Sequence, residues 1–305
     1  MPFNAQLHVD TLLSGVSLSY QPQDFIAMKV FPEVQVKKDT DLFRIYDRDW
    51  RIPETLRANK GKANQRYWEV STATYILEDH AIKDYVSEDD QDNYDLADLR
   101  VDTTEDLTQV ILRRLELTVA NLFTTTNWSL NVSLAATGAW NLDTVQSNPI
   151  PIVDTGATTV IANSGQAPNY MILPRSAFVG VKNHQSVLDR VKYTQGPQGE
   201  DATKGMLAAL FGVQELLVPV ASYDTSAKGL GPSITAIWGD VAFMGYKPAR
   251  PGPKQASSGY IFRKNVPMVR RWFDDERNCE AIEVRMKFQA RVVASLSGYL
   301  FKDVI

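Results

Sequence analysis

The side chains best suited to chemistry in this chain are few and scattered. His8, His80 and His184 stand far apart and share no ligand spacing with one another or with a carboxylate. A zinc or catalytic histidine centre needs at least a local pair such as H-x-x-x-H, so each histidine is read as a packing or surface residue. The single cysteine, Cys279, cannot form an internal bridge, and its neighbours Asn278 and Glu280 offer no cation to stabilise a thiolate. It is read as a strand-core thiol. Two acid groups, Asp89–Asp90 and Asp274–Asp275–Glu276, have the clustered carboxylates that hard cations such as Mg²⁺ prefer. The first lacks the glycine and terminal glutamate of a calcium loop. The second falls in an expected turn beside Arg270, Arg271 and Arg277, which would compete with a metal. Gly61-Lys62 lacks the rest of a phosphate loop, Gly196 to Gly199 and Gly229 to Gly231 are turn chemistry, and no G-x-S-x-G is present. No catalytic residue, metal site or cofactor is expected. A metal-dependent hydrolase built on Asp274–Glu276 is the alternative from another class.

Charge carries more information than reactivity. Between Arg44 and Arg66 the bases Arg44, Arg48, Arg51, Arg57, Lys60, Lys62 and Arg66 stand against Asp47, Asp49 and Glu54, a net +4. From Glu78 to Asp106 twelve acids, among them Asp84, Glu88, Asp89, Asp90, Asp92 and Asp95, stand against Lys83 and Arg100, a net −10. Nucleic-acid binding competes for the basic segment, since Arg48, Trp50, Arg51 and Tyr67 mix cations with aromatics. The adjoining acids would repel a phosphate backbone within a Debye length of about 8–10 Å. A solvated loop is the blander reading. Docking of the basic segment onto the acidic stretch of another copy satisfies both charges, although pairing within one chain is equally compatible with the sequence.

The elements that must position these charges can be read in outline. Met1 to Pro32 is an irregular arm of mixed apolar periodicity, expected to lie across another part of the fold or across a neighbour. Strand-like runs from Val34 to Tyr46 and from Arg66 to Leu77 flank the polar stretch Arg51 to Gln65, and in the second run Trp68, Val70, Thr72, Thr74 and Ile76 share a face. A connection this long predicts a projecting basic β-hairpin finger. Leu107, Val110, Ile111, Leu115, Val119 and Leu122 recur at helical spacing, with Asp102 or Thr103 as cap and Glu105 and Asp106 in the first turn. Asp84 to Asp98 has no such local role. Further on, strands are expected at Thr158–Ile161, Tyr170–Leu173, Gln214–Val220 and Ile234–Tyr246. Helices are expected at Ser176–Lys182, Ser186–Lys192 and Thr203–Phe211. The last fifty residues read as strands Tyr260–Lys264, Val266–Trp272 and Cys279–Ser295, with a turn over Phe273–Asn278.

Composition sets the frame. A chain of 305 residues with 44% hydrophobic and 22% charged residues is an ordinary globular chain. Its net charge of −4 argues against a general affinity for nucleic acid. No apolar run approaches the ~20 residues of a membrane span, and Met1 to Tyr20 has no signal-peptide pattern. A soluble protein of a reducing cytosol is expected.

The order of arm, finger, long helix, mixed middle and strand-rich end resembles the major capsid proteins of tailed bacteriophages. Several segments are similar to that family as well: Val269-Arg270-Arg271-Trp272-Phe273-Asp274-Asp275-Glu276-Arg277, Gly298-Tyr299-Leu300-Phe301-Lys302-Asp303, Ser186-Val187-Leu188-Asp189-Arg190-Val191-Lys192-Tyr193-Thr194, Gly205-Met206-Leu207-Ala208-Ala209-Leu210-Phe211, and Trp238-Gly239. The resemblance covers nearly the whole chain. It implies the α+β HK97-type fold, with an N-terminal arm at 1–35, an extended E-loop hairpin at 36–77 and a peripheral domain with a spine helix at 78–150. An axial domain at 151–253 and C-terminal strands returning to the peripheral domain at 254–305 complete it. It also implies self-assembly into pentamers and hexamers that enclose double-stranded DNA in an icosahedral virion capsid, assembled in the host cytoplasm without a membrane. Because the chain opens directly on the arm, a separate scaffolding protein is expected, together with a portal and a possible decoration protein. An encapsulin-like nanocompartment shell protein would share the fold, while a tail-tube subunit would not suit the long helix.

Overall fold

The computed structural model describes residues 8–9, 13–14, 17, 25–45, 52, 54–65, 71–94, 98–142, 144, 146–191, 200–227, 229–252 and 255–305. The chain enters through β1 (His8–Val9), α1 (Ala27–Val30) and β2 (Glu33–Gln35). A hairpin of β3 (Thr40–Ile45) and β4 (Ser71–Ile76) follows, then β5 (Glu78–Val86), the short α2 (Glu88–Asp92) and the long α3 (Leu99–Ala120). The middle of the chain runs β6 (Asn131–Ser133), α4 (Pro149–Ser164), β7 (Tyr170–Ile172), α5 (Arg175–Asn183), α6 (Gln185–Val191), α7 (Glu200–Leu210), β8 (Glu215–Leu217), β9 (Ser222–Asp224), β10 (Ile234–Ala236) and β11 (Ala242–Gly245). It closes with β12 (Gly259–Asp274), β13 (Cys279–Val292) and β14 (Gly298–Lys302).

Two sheets carry the molecule. The first has the order β1-β12-β13-β5, with β2 added in parallel to β12. In β13 the buried Ile282, Val284, Met286, Phe288 and Ala290 alternate with half-exposed Glu283, Arg285, Lys287 and Gln289, the period-two pattern of a sheet with one dry face. Tyr260–Lys264 and Val266–Trp272, expected as two strands, form one strand with a register shift between Lys264 and Met268. Pro267 lies inside that shift, where its missing N–H breaks no ladder bond. Helix α3 covers the dry face with Leu107, Ile111, Leu115 and Val119, all within one continuous core. It begins about a turn before the expected start, because the Asp98 side chain accepts from Arg100 N at 3.0 Å. Asp102, expected as the cap, lies in the first turn instead, and the expected first-turn acids Glu105 and Asp106 fall in the next turn.

The second sheet has the order β6-β14-β11-β7-β8 and packs with α4, α5 and α7 around Trp140, Phe178, Val181, Leu207 and Phe301. Thr158–Ile161, expected as a strand, belongs to α4. Asn148 caps that helix at Ile150 N (3.1 Å), and Gly165 ends it in the left-handed conformation at φ 63°. Its β-branched threonines are accommodated by hydroxyl bonds back along the helix, Thr155 to Pro151 O (2.7 Å) and Thr158 to Asp154 O (2.9 Å). The stretch Ile234–Tyr246, expected as one strand, splits at a turn where Gly239 takes φ 45°. Consequently β10 pairs with β9 and β11 joins the second sheet.

The described part of the arm lies across the first sheet, as expected. His8–Val9 pair with Arg271–Arg270, and Leu13, Val30 and Phe31 enter the main core. Gly259 exists to admit this arm: a Cβ there would stand 2.5 Å from the Phe31 ring. Gly259→Ala is therefore expected to lose about 1–3 kcal/mol by overpacking, measured by urea denaturation, and adding Phe31→Leu should recover part of that loss. Unchanged stability in Gly259→Ala would contradict the packing described.

Candidate assembly interface

The finger is the β3–β4 hairpin, in register from Thr40↔Ile76 to Ile45↔Ser71. Its inner face packs through Phe43 and Tyr75 onto Phe262 of β12, at ring distances of 5.2 and 4.7 Å. The outer face carries Leu42, Arg44, Thr72, Thr74 and Ile76 into solvent. So the face expected to share Thr72, Thr74 and Ile76 is the outward one, and Trp68 and Val70 lie outside the described residues. At its base Asp39 accepts from Lys264 Nζ (2.7 Å) and Lys287 Nζ (3.3 Å), and Leu77 N closes onto Asp39 O at 2.8 Å. The two ammonium groups, Lys264 first, hold the Asp39 carboxyl below its usual pKa.

The tip has its own local order. Ala58 O accepts from Gly61 N (2.9 Å), Asn64 Nδ2 donates to Glu54 O (2.7 Å), and Lys60 takes φ 63°. It buries nothing: Ile52 is 91% and Leu56 84% exposed. Two large aliphatics thus stand in full solvent on an element fastened at its base. Of the predicted cations, Arg44, Arg57, Lys60 and Lys62 are exposed and form no ion pair among the described residues. Arg48, Arg51 and Arg66 lie outside those residues.

The acidic stretch resolves into two groups. Some acids have local work that the sequence reading does not assign. Asp79 pairs with Arg285 on the neighbouring strand, and this guanidinium holds its carboxyl below the usual range. Asp98 caps α3, and Ser87 caps α2 by accepting from Asp90 N (3.0 Å) while donating to Asp90 Oδ2 (2.6 Å). Glu88, Asp89 and Asp90 then sit in the first turn of α2, where the backbone N–H groups favour negative charge. Yet Asp84, Glu88, Asp89, Asp90 and Asp92 are exposed and unpaired with any cation among the described residues, and Asp95 lies outside them. Finger and acids therefore do not pair with one another within the described part of the chain.

Sheet register brings the second acid cluster to the same place. Val86 on β5 opposes Glu280 on β13, which opposes Phe273 on β12. The turn Asp274–Asn278 thus lies at the end of the sheet from which α2 emerges. Between them opens a pocket of about 320 Å³ lined by Val86, Ser87, Glu88, Gln91, Asp92, Arg100, Phe273 and Glu280. Arg100 (2.5 Å) and Arg271 (3.2 Å) already neutralise Glu280, leaving Glu88 and Asp92 as its unpaired charges. Neither Phe273 nor Glu280 is identifiable from spacing, because strand register alone places them there. Arg277 stacks on Tyr85 at 4.4 Å instead of meeting the acids of its turn. Among the described residues no group of three or more His, Cys, Asp or Glu could hold a metal ion.

His80 and His184 pack, and the His8 side chain lies outside the described ones. His80 stacks on Phe288 at 4.3 Å, and buried His184 meets Ser147 Oγ (3.1 Å) and Ser186 Oγ (2.7 Å). Cys279 is not a core thiol. It opens β13, half-exposed, where the turn leaves its Sγ donating to Arg277 O at 3.1 Å.

Likeness to known proteins follows this geometry over its whole length. The chain is 25% identical over 308 residues to the major capsid protein of Burkholderia phage BcepMu, covering 97% of this chain and 96% of that protein. The crystal structure of a phage-related protein from Bordetella bronchiseptica RB50 superposes with a TM-score of 0.78 at 23% identity, covering 98% of each chain. The capsid structure of cyanophage P-SCSP1u gives 0.64 at 10% identity, over 93% of this chain and 90% of that one. The chain has the HK97-type capsid fold. No protein-family model matches it. Among the described residues, Asp39, Asp79 and Glu280 find cations within the chain, while Arg57, Lys60 and Lys62 at the finger tip and Glu88, Asp89 and Asp92 beyond β5 form no ion pair.

The Asp39 clamp gives the finger base a pH dependence with a fixed sign. A depressed carboxyl contributes stability above its unfolded pKa, near 3.9, and loses it as pH falls through the lower folded value. Asp39→Asn should therefore lower the Tm at pH 7, and the gap to wild type should close as the pH drops below about 4. A gap that widens on acidification would refute the clamp.

Proposed function

We propose that this chain is the major capsid protein of a tailed bacteriophage, self-assembling into the pentamers and hexamers of an icosahedral, DNA-containing head. It is a capsid-forming protein with a structural role. The observation that carries the reading is whole-length likeness to a phage major capsid protein combined with a finger whose described tip is fully exposed and whose described cations form no ion pair among the described residues.

Identical subunits with one projecting element and one distant receptor make head-to-tail contacts that close into rings by rotation. We assign the finger's Arg44, Arg48, Arg51, Arg57, Lys60, Lys62 and Arg66 to the Asp84, Glu88, Asp89, Asp90, Asp92 and Asp95 surface of the adjacent copy. Each exposed ion pair contributes only about 0–1 kcal/mol, so the charges set register and reject wrong docking geometries, while Ile52 and Leu56 supply apolar area. The chain divides in this reading into arm (1–35), E-loop (36–77), peripheral domain (78–150), axial domain (151–253) and returning strands (254–305). A separate scaffolding protein, a portal and a decoration protein complete the partners, with assembly in the host cytoplasm. The chain's net charge of −4 suits a container that holds double-stranded DNA without binding it tightly.

The triple reversal Arg57→Glu, Lys60→Glu, Lys62→Glu is expected to abolish regular shells in electron micrographs of the protein expressed with its neighbouring genes. Reversing Glu88, Asp89 and Asp92 to Lys in the same chain should restore them. Normal shells from the first variant would remove the electrostatic register, and a wild-type chain that stays monomeric with its scaffold would remove the capsid reading.

A further inference from the structure

Glu116 occupies a position on the apolar stripe of α3 and is fully buried. Among the described residues it forms no ion pair, and no charged group perturbs it. Burial raises its pKa, opposed by the N–H groups of Ile26, Ala27 and Trp238. Those donors come from two remote segments. Ile26 N lies 3.1 Å from each carboxylate oxygen and Ala27 N 2.8 Å from Oε2. From the other side Trp238 Nε1 donates to Oε1 at 2.5 Å. A buried carboxylate is tolerated only while its hydrogen bonds are made, so each segment depends on the other staying in place.

Both segments need this carboxylate. Helix α1 has Ile26 at its N-cap, with no side-chain bond of its own, and Glu116 takes over that role from α3. Trp238 lies just beyond β10, and with Ile237 it seats the base of the β9–β10 hairpin, where Ile237 N bonds Ala221 O at 3.0 Å. The hairpin projects: Leu230 is 71% and Ile234 72% exposed. Its loop is nonetheless ordered, with Asp224 Oδ1 accepting from Ser226 N (2.8 Å) and Ser233 N (2.9 Å).

We propose that Glu116 is a coupling latch, which makes the seating of the arm segment Phe25–Phe31 and the seating of the β9–β10 hairpin on α3 a single event. A neighbour that displaces the arm then also frees the hairpin, and a neighbour that holds the hairpin fixes the arm. This goes beyond shell formation and is testable on the unassembled chain. Packing offers a rival path, because Phe123 touches both Phe31 (5.6 Å) and Trp238 (5.3 Å). The test must separate the two.

Trp238→Phe keeps an aromatic ring against Phe123 and removes the donor together with part of the indole volume, whereas Glu116→Gln leaves the volume unchanged. Hydrogen exchange measured by mass spectrometry on the full-length chain should speed up about tenfold or more at 221–237 and equally at 26–31, the loss of one hydrogen bond to a charged group. Strand β13 should stay protected. Glu116→Gln should give the same pattern, and the double variant should add little to either single change. Faster exchange confined to 221–237 would overturn the latch, as would additive effects or a rise that includes β13.

Discussion

Arm, finger and acidic strand are all fastened to one pair of strands. β12 and β13 run antiparallel from Gly259↔Val292 to Asp274↔Cys279. The arm attaches to β12 through β1 and β2, the acidic strand β5 lies along β13, and the long helix packs on the same sheet. The finger stands on Phe262 and on the two lysines that hold Asp39. Alternating burial along β13 fixes this register, since a one-residue slip would turn Ile282 to Phe288 outward and Glu283 to Lys287 into the core. The position of finger and acid pole relative to each other is thus set by sheet pairing, with the Asp39 and Asp79 ion pairs fastening finger base and β5 to the same strands.

Charge takes over where the sheet ends. Several cations and acids of the first sheet and its margins are matched within the chain: Arg285 with Asp79, Arg263 with Glu33, Lys264 with Asp39. At the two extremities matching stops, with exposed cations on the finger tip and exposed acids around the β5 end. The long-range attraction between such poles within one rigid molecule is screened over a Debye length of about 8–10 Å.

Much of this was legible in the sequence where a local rule decides the outcome. The stripe Leu107, Ile111, Leu115, Val119 reads as a helix because its period is local, and the polar stretch between two strands reads as a finger because no compact fold could bury it. Thr158–Ile161 misleads because β-branched residues favour strands, whereas the Asn148 cap and the hydroxyl back-bonds decide for helix. Ser87-Glu88-Asp89-Asp90 carries a readable capping pattern that explains part of the acidic run. Glu116 also left a signal, an acid at a buried position of an apolar stripe. Its partners Ile26 and Trp238 lie 90 and 122 residues away, where only the fold can name them. Phe273 and Glu280 are invisible for the same reason, placed by register rather than by spacing.

The central claim is that the unpaired poles meet between copies. Particles assembled from an equal mixture of ¹⁴N- and ¹⁵N-labelled chain, treated with a zero-length carbodiimide, address it directly by mass spectrometry. The account predicts amide links from Lys60 or Lys62 to Glu88, Asp89 or Asp92 in which the two peptides carry different isotopes as often as the same one. Links between peptides of matching isotope alone would place the contact within one chain and contradict it.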